Sequence, residues 1–124
     1  MRRVGIDMAE DWSRPVVHWE ITARDPERQK SFYAGLFNWT IGDGPIMNIP
    51  PGVGGPEPGP GGHIRGGESS GVTLYVQVRD LDDSLSRAAQ LGGRIIRERL
   101  QVPDGATLAI IEDPEGNRVT LVQQ

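Results

Sequence analysis

The chain has 124 residues, no cysteine and a net charge of −4 at pH 7. This length is that of one domain, and the acidic balance is the opposite of the clustered basic surface of a nucleic-acid-binding protein. The lack of cysteine excludes a disulfide framework and a thiol nucleophile. No apolar run approaches the roughly 20 residues of a membrane span, and the first residues lack the apolar segment of a secretory signal. We therefore expect one cytoplasmic domain over residues 1–124 that binds neither nucleic acid nor membrane.

Glycine and proline are concentrated in one part of the chain. Residues 42–71 contain 11 of the 17 glycines and 6 of the 10 prolines. Proline lacks a backbone donor and glycine loses much entropy on ordering, so such a segment cannot keep a regular helix or ladder. Residues 50–62 therefore predict a long exposed loop. Loops of this length are usually mobile segments or functional covers, and the sequence leaves open whether this one is mobile or an ordered lid.

The first half of the chain predicts a strand, a helix and further short strands. Apolar and polar residues alternate over Val16–Thr22, which is typical of a strand. Asp25 is a helix N-cap with proline at the next position, so a helix is expected over Pro26–Phe37. A second strand is expected over Trp39–Ile41. Weaker strand patterns follow near Ile46–Ile49 and His63–Arg65.

The second half repeats this order. A strand over Val72–Val78 leads to a second N-cap at Asp80 and a helix over Leu81–Leu91. Gly92 suits the left-handed position that ends the helix, and residues 113–117 suit a hairpin turn. The remaining strands are expected over Arg94–Arg99, Ala106–Glu112 and Arg118–Val122.

The repeat predicts an α+β fold built from two βαβββ modules. The two N-caps, Asp25 and Asp80, are 55 residues apart, and the modules cover about 16–66 and 72–122. One such unit has too little core to fold alone, so we expect the strands to join into one curved mixed sheet with both helices on its convex side.

Strand alternation assigns side chains to the two faces of this sheet, and a one-residue bulge would invert the assignment. The residues expected to face the helices are Val17, Trp19, Ile21, Leu74, Val76 and Val78. Those expected to face the hollow are His18, Glu20, Thr22, Thr73, Tyr75 and Gln77.

An ordered set of motifs resembles the vicinal oxygen chelate superfamily, also described as the glyoxalase, bleomycin-resistance and extradiol-dioxygenase superfamily. In chain order the motifs are VHWEI with DPER, FYAGLFNW, VQVRDLD, LGG and DPEGN. They span residues 16–122. The resemblance implies two βαβββ modules around an open cup, a small-molecule ligand in that cup and a homodimer.

The resemblance also implies a divalent metal in the cup, but the ligand pattern is incomplete here. The family ligands are a histidine on the first strand, a histidine or similar residue on the matching second-module strand, and a glutamate on the last strand. His18 fills the first position, whereas Thr73 and Thr120 fill the other two. By the 55-residue offset Thr120 matches Arg65, and His63 lies two residues before Arg65. A divalent metal is therefore possible, with His18 as its ligand, or His18 is a plain polar residue.

The other polar residues have open assignments as well. Glu20 is either a half-exposed carboxylate or, if burial raises its pKa, a general base beside His18. We predict substrate binding by Thr73, Tyr75, Gln77 and Thr120. His63 and Arg65 either bind an anionic ligand or form a solvated strand edge.

Three functions fit these residues. The first is a metal-dependent lyase, isomerase or dioxygenase, which would use the metal as a Lewis acid. The second is a metal-free, drug-sequestering binding protein of the bleomycin-resistance type, for which the acidic balance favours a cationic ligand. The third is a metal-free enzyme with Glu20 or His18 as its acid or base. Fold resemblance alone does not choose among them.

Overall fold

A computed structural model describes residues 11–52 and 58–123. Its elements form one seven-stranded mixed sheet and two helices, with the strand order β2-β3-β1-β4-β7-β6-β5. The pairs β1/β3 and β4/β7 are parallel, and the other neighbours are antiparallel. The open mixed sheet and the α+β class are thus as predicted. The elements are β1 (Val16–Ala23), α1 (Pro26–Phe37), β2 (Ile46–Ile49), β3 (Gly62–Gly66), β4 (Gly71–Gln77), α2 (Leu81–Gln90), β5 (Arg94–Gln101), β6 (Thr107–Glu112) and β7 (Arg118–Gln123).

Both helices begin at the predicted N-caps. The Asp25 carboxylate accepts a hydrogen bond from the backbone N–H of Arg28, and the Asp80 carboxylate accepts one from Asp83, each at 3.1 Å. Gly92 has the left-handed conformation predicted for it, with φ of 98°. These caps fix where each helix leaves the preceding strand. In the described part of the chain, neither helix is long and apolar enough to cross a membrane.

The strand predicted over Trp39–Ile41 does not form. Asn38 ends α1 in the left-handed conformation and turns the chain sharply. Trp39 then packs its ring against Tyr33, with ring centroids 5.3 Å apart and nearly parallel planes. Ile41 is buried in the core below α1. The apolar residues that suggested a strand are therefore explained by packing against the helix, and the described residues form seven strands instead of the eight predicted.

The face of the sheet that carries the helices holds two apolar clusters. One lies under α1 and includes Ile21, Met47 and Ile64. The other lies under α2 and includes Leu85 and Leu121. Side chains alternate between the faces of a strand, so the residues between these apolar positions lie on the opposite face, where they line the hollow.

Two details differ from the predicted alternation. Val17 lines the hollow beside His18, because β1 has an irregularity between Val16 and His18 where it pairs with β4. Leu74 was expected under a helix but is 45% exposed. Among the described elements, α1 contacts β1 and β3, and α2 contacts β5, β6 and β7, so no helix covers β4.

The described ends of the Gly/Pro-rich loop lie beside Trp19 and do not line the hollow. The indole N–H of Trp19 donates to the carbonyl of Pro60 at 2.9 Å. Gly52, Gly59 and Pro60 line a second cavity of about 460 Å³ next to that indole. Whether the loop over residues 50–62 is a mobile segment or a lid also depends on residues 53–57, which lie outside the described residues.

Gly62 allows this close approach. A Cβ atom added at Gly62 would overlap the indole ring of Trp19, which packs directly over the glycine. Overpacking of this kind typically costs about 1–3 kcal/mol. We therefore expect Gly62→Ala to lower the free energy of unfolding by about 1–3 kcal/mol in urea titration. Gly71→Ala is the matched control on β4, because no atom lies within 4 Å of its added Cβ; an equal loss in both variants would contradict this explanation.

Candidate functional site

The hollow on the helix-free face is a cavity of about 760 Å³. Its polar wall comes from β1, β3, β4 and β7, and its apolar wall comes mainly from β5 and β6. The polar wall contains seven of the eight residues singled out from the sequence. They are His18, Glu20, His63, Arg65, Thr73, Tyr75 and Thr120.

Glu20 is the centre of the polar wall. Its side chain is 10% exposed, and its carboxylate accepts hydrogen bonds from His63 Nε2 and Arg65 Nε, both at 2.9 Å. The parallel register of β1 and β3 brings these partners together, because Glu20 lies opposite His63. A buried carboxylate is costly unless charged or hydrogen-bonded partners compensate it, and β3 supplies both kinds.

These partners determine the charge of Glu20. The hydrogen bond from His63, followed by that from Arg65, lowers the pKa of Glu20 to about 2 although burial opposes the change. The expectation that burial in the cup would raise this pKa was wrong, because it took no account of partners 43 and 45 residues away. Glu20 is therefore an ionised acceptor at neutral pH and a poor general base.

His18 joins the same network through His63. His18 Nε2 and His63 Nδ1 are 2.8 Å apart, and the two rings are stacked with centroids 5.0 Å apart. Burial, followed by the charge of His63, lowers the pKa of His18, and Glu20 acts in the opposite direction. His18, His63 and Glu20 thus form one continuous hydrogen-bonded chain.

The sheet register corrects the match between the two modules. Glu20 on β1 lies opposite His63 on β3, and Tyr75 on β4 lies opposite Thr120 on β7. Since Glu20 and Tyr75 are equivalent, Thr120 matches His63, whereas the 55-residue offset matched it to Arg65. The 55-residue offset fails here because His63 follows its N-cap Asp25 by 38 residues, whereas Thr120 follows Asp80 by 40.

The donors in the hollow do not fit a divalent metal. Both ring nitrogens of His63 are used, one by His18 and one by Glu20. The guanidinium of Arg65 puts a positive charge against Glu20, the only carboxylate that the described residues contribute to the wall. Within residues 11–52 and 58–123, no group of three or more His, Asp or Glu side chains is arranged to hold a metal ion. Thr73 and Thr120 are hydroxyls, which bind such metals poorly.

The remaining predicted binding residues divide into two sets. Thr73 and Thr120 are buried and line the hollow with Tyr75. The Tyr75 hydroxyl lies 3.4 Å from Glu20, and burial, followed by that carboxylate's charge, raises the pKa of Tyr75 to about 12. Gln77 does not line the cavity; its backbone N–H donates to the carbonyl of Pro15 at the end of the sheet.

The sequence analysis missed a further group of residues that line this cavity. Arg97 and Arg118 line it, together with apolar side chains on five strands and on the segment between β5 and β6. Strand alternation through Thr120 would have put Arg118 on the same face, so a signal for it existed. Arg97 had none, because β5 pairs with β6 through two register shifts on either side of it. The apolar residues are Val17, Ile46, Leu100, Val102, Ala106, Leu108, Ile110 and Val122.

The lowered pKa of Glu20 predicts a pH-dependent loss of stability. A carboxylate whose folded pKa lies below its unfolded value of about 4.5 stabilises the fold above that pH, and this contribution is lost as the pH falls towards 2. At about 1.4 kcal/mol per pKa unit, the loss approaches 3 kcal/mol. Glu20→Gln is expected to remove that part of the pH dependence in urea titrations, whereas the exposed Glu98→Gln should preserve it. Parallel profiles for the wild type and Glu20→Gln would contradict the ion pairing.

Solved structures with the same fold have very different sequences. A member of the glyoxalase/bleomycin resistance protein/dioxygenase superfamily from Vibrio splendidus 12B01 is 15% identical, with a TM-score of 0.65 over 90% of this chain and 100% of that chain. A hypothetical protein from Bacillus halodurans C-125 is 14% identical, with a TM-score of 0.66 over 91% and 96%. Methylmalonyl-CoA epimerase from Mycobacterium tuberculosis is 17% identical, with a TM-score of 0.59 over 87% and 86%. At these identities the likeness concerns the fold alone.

No curated protein matches the sequence closely enough to count as a relative. The family model for the glyoxalase-like domain, in contrast, matches residues 16–122, from the first strand to the last. This range includes all of the sheet except the last residue of β7, and it includes every described residue that lines the hollow. The chain therefore belongs to the glyoxalase-like domain family.

Proposed function

We propose that the protein binds a small organic molecule with an apolar body and an anionic group in the hollow, without a metal. One observation carries the proposal: a single cavity joins an apolar wall to a wall with an excess of arginine. The metal-dependent lyase, isomerase and dioxygenase reactions are disfavoured because the donor set does not fit a metal. A metal-free binding protein of the superfamily is the function that these side chains support best.

The apolar wall has the size and composition of a ligand site. A volume of about 760 Å³ is within the range of roughly 300–1,000 Å³ that small-molecule pockets occupy. Leu100 on β5 and Leu108 and Ile110 on β6 expose aliphatic side chains to it. Each Å² of apolar surface that a ligand covers there is worth about 25 cal/mol, so an aromatic or aliphatic body would bind favourably.

The charges of the hollow favour an anion. Among the residues that the structure describes, three arginines line the cavity against one carboxylate, Glu20, which Arg65 already compensates. Arg118 lies 3.6 Å from Glu112, but that carboxylate also pairs with Arg94 at 3.0 Å. In the described part of the chain, Arg97 has no carboxylate within 4 Å. The hollow thus has the opposite sign to the whole chain, and we replace the cationic ligand suggested by net charge with an anionic one.

Anilinonaphthalene sulfonate, an apolar dye with one anionic group, tests this proposal against phenylnaphthylamine, which lacks the sulfonate. We expect the wild type to bind the anionic dye more tightly in fluorescence titrations. The double variant with Arg97→Gln and Arg118→Gln should bind it about tenfold more weakly, because two exposed cations together contribute roughly 1–2 kcal/mol. Affinity for the neutral dye should not change.

Arg99→Gln is the matched control for charge. Arg99 lies on the same strand as Arg97 but pairs with Asp82 at 2.9 Å and does not line the hollow. Its loss should leave the affinity for both dyes unchanged. Equal affinity of the wild type for the charged and neutral dyes, or an equal effect of Arg99→Gln, would overturn the proposal. The homodimer and the cytoplasmic location stay predictions.

A further inference from the structure

The hydrogen-bonded chain from Glu20 to His18 defines which nitrogen carries each proton. Glu20 is ionised and can only accept, so His63 Nε2 carries a hydrogen and donates it. In neutral His63 the other nitrogen, Nδ1, then accepts, and His18 Nε2 is its donor. This arrangement of hydrogen bonds therefore leaves His18 with an unprotonated Nδ1. Among the described residues, no side chain or backbone group forms a hydrogen bond with that atom.

We propose that His18 is the general acid and base of the hollow, exchanging protons with a bound carbon acid through Nδ1, with His63 and Glu20 as positioning residues. This inference rests on the proposed function, because it needs a ligand in the hollow that His18 lines. The substrate class is a small apolar molecule whose C–H bond is acidified by a neighbouring electron-withdrawing group and whose product is an anion.

The hydrogen bonds from His18 to His63 and Glu20 let the positive charge of the incoming proton move towards the Glu20 carboxylate. When Nδ1 accepts a proton from the ligand, Nε2 of His18 can release its own proton to Nδ1 of His63, 2.8 Å away. The positive charge then lies on His63, whose Nε2 is 2.9 Å from the Glu20 carboxylate. The electron pair of the broken C–H bond stays on the ligand, in the cavity that Arg97 and Arg118 also line. No oxidant or other reactant is needed.

The groups that face His18 keep it neutral and ready to accept a proton. Burial lowers the pKa of His18 from its usual 6.5; His63 lowers it as well, because protonated rings at both positions would repel each other, and Glu20 raises it. Tyr75 on β4 contacts the ring edge-on at 5.0 Å and is itself neutral, since its pKa is raised to about 12. Arg65 on β3 acts through Glu20, which it binds. At pH 7 His18 is thus mainly in its basic form.

Nitrobenzisoxazole is the probe, because one proton transfer converts it into a coloured product. A base removes the ring C–H proton, that electron pair forms a nitrile, the N–O bond breaks, and the oxygen leaves as a nitrophenolate. We expect the wild type to catalyse this elimination and His18→Gln to lower kcat at least tenfold, because a positioned base contributes about 10²–10⁴-fold. Arg99→Gln should keep the wild-type rate, and the rate should persist in EDTA.

Two positioning variants give opposite shifts in the pH profile. Glu20→Gln removes the charge that raises the pKa of His18, so the midpoint of kcat should move to lower pH. His63→Gln removes the group that lowers it electrostatically, so the midpoint should move towards 6.5. A merely structural role would change the amount of folded protein without producing shifts of opposite sign. Shifts in one direction for both variants would overturn the assignment of roles.

Nitrogen-15 NMR of the wild-type imidazoles keeps the proposal testable even if a variant does not fold. We expect protons on Nε2 of both rings at pH 8, and a proton on Nδ1 of His18 would overturn the proposal. The proposal would also be overturned if His18→Gln kept the wild-type elimination rate or if EDTA abolished that rate. Binding of the sulfonate dye by the wild type without catalysis of the elimination would overturn it as well. Failure to bind that dye would instead refute the proposed function on which this inference rests.

Discussion

The polar half of the hollow depends on one buried carboxylate. Glu20 is 8% exposed as a residue, and several kcal/mol would be needed to bury its charge alone. Arg65 and His63 offset that cost from the neighbouring strand, each with a hydrogen bond of 2.9 Å. Removal of one partner of such a group usually costs more than the pair itself contributes. The positions of His63, and through it of His18, are therefore coupled to the charge of Glu20.

The same pairing distinguishes this hollow from a divalent-metal site. A divalent cation would need free lone pairs on the histidines and a free carboxylate. Here both ring nitrogens of His63 form hydrogen bonds, one with His18 and one with Glu20. The guanidinium of Arg65 supplies the positive charge beside Glu20. The charge of Glu20 is thus balanced by Arg65 and needs no metal ion beside it.

Regular patterns in the sequence predicted most of the fold, and partners distant along the chain account for what it missed. Period-two alternation correctly put His18, Glu20 and Tyr75 on one face, because side chains of a strand alternate whatever the strand pairs with. The caps at Asp25 and Asp80 are local and were also found. The charge of Glu20 was missed, because it depends on a strand beyond the Gly/Pro-rich loop. The strand predicted from Trp39 was wrong because apolar residues are equally typical of a strand and of an aromatic cluster.

The two modules contribute different halves of one site. At equivalent positions, module one has His18 and Glu20 on β1 where module two has Thr73 and Tyr75 on β4. His63 on β3 is in the same way equivalent to Thr120 on β7. Module one thus supplies the groups that titrate, and module two supplies hydroxyls that are neutral at pH 7. Module two also supplies most of the apolar wall through β5 and β6. A ligand in the hollow would meet proton-exchanging groups on one side and an apolar surface on the other, so this asymmetry would orient it.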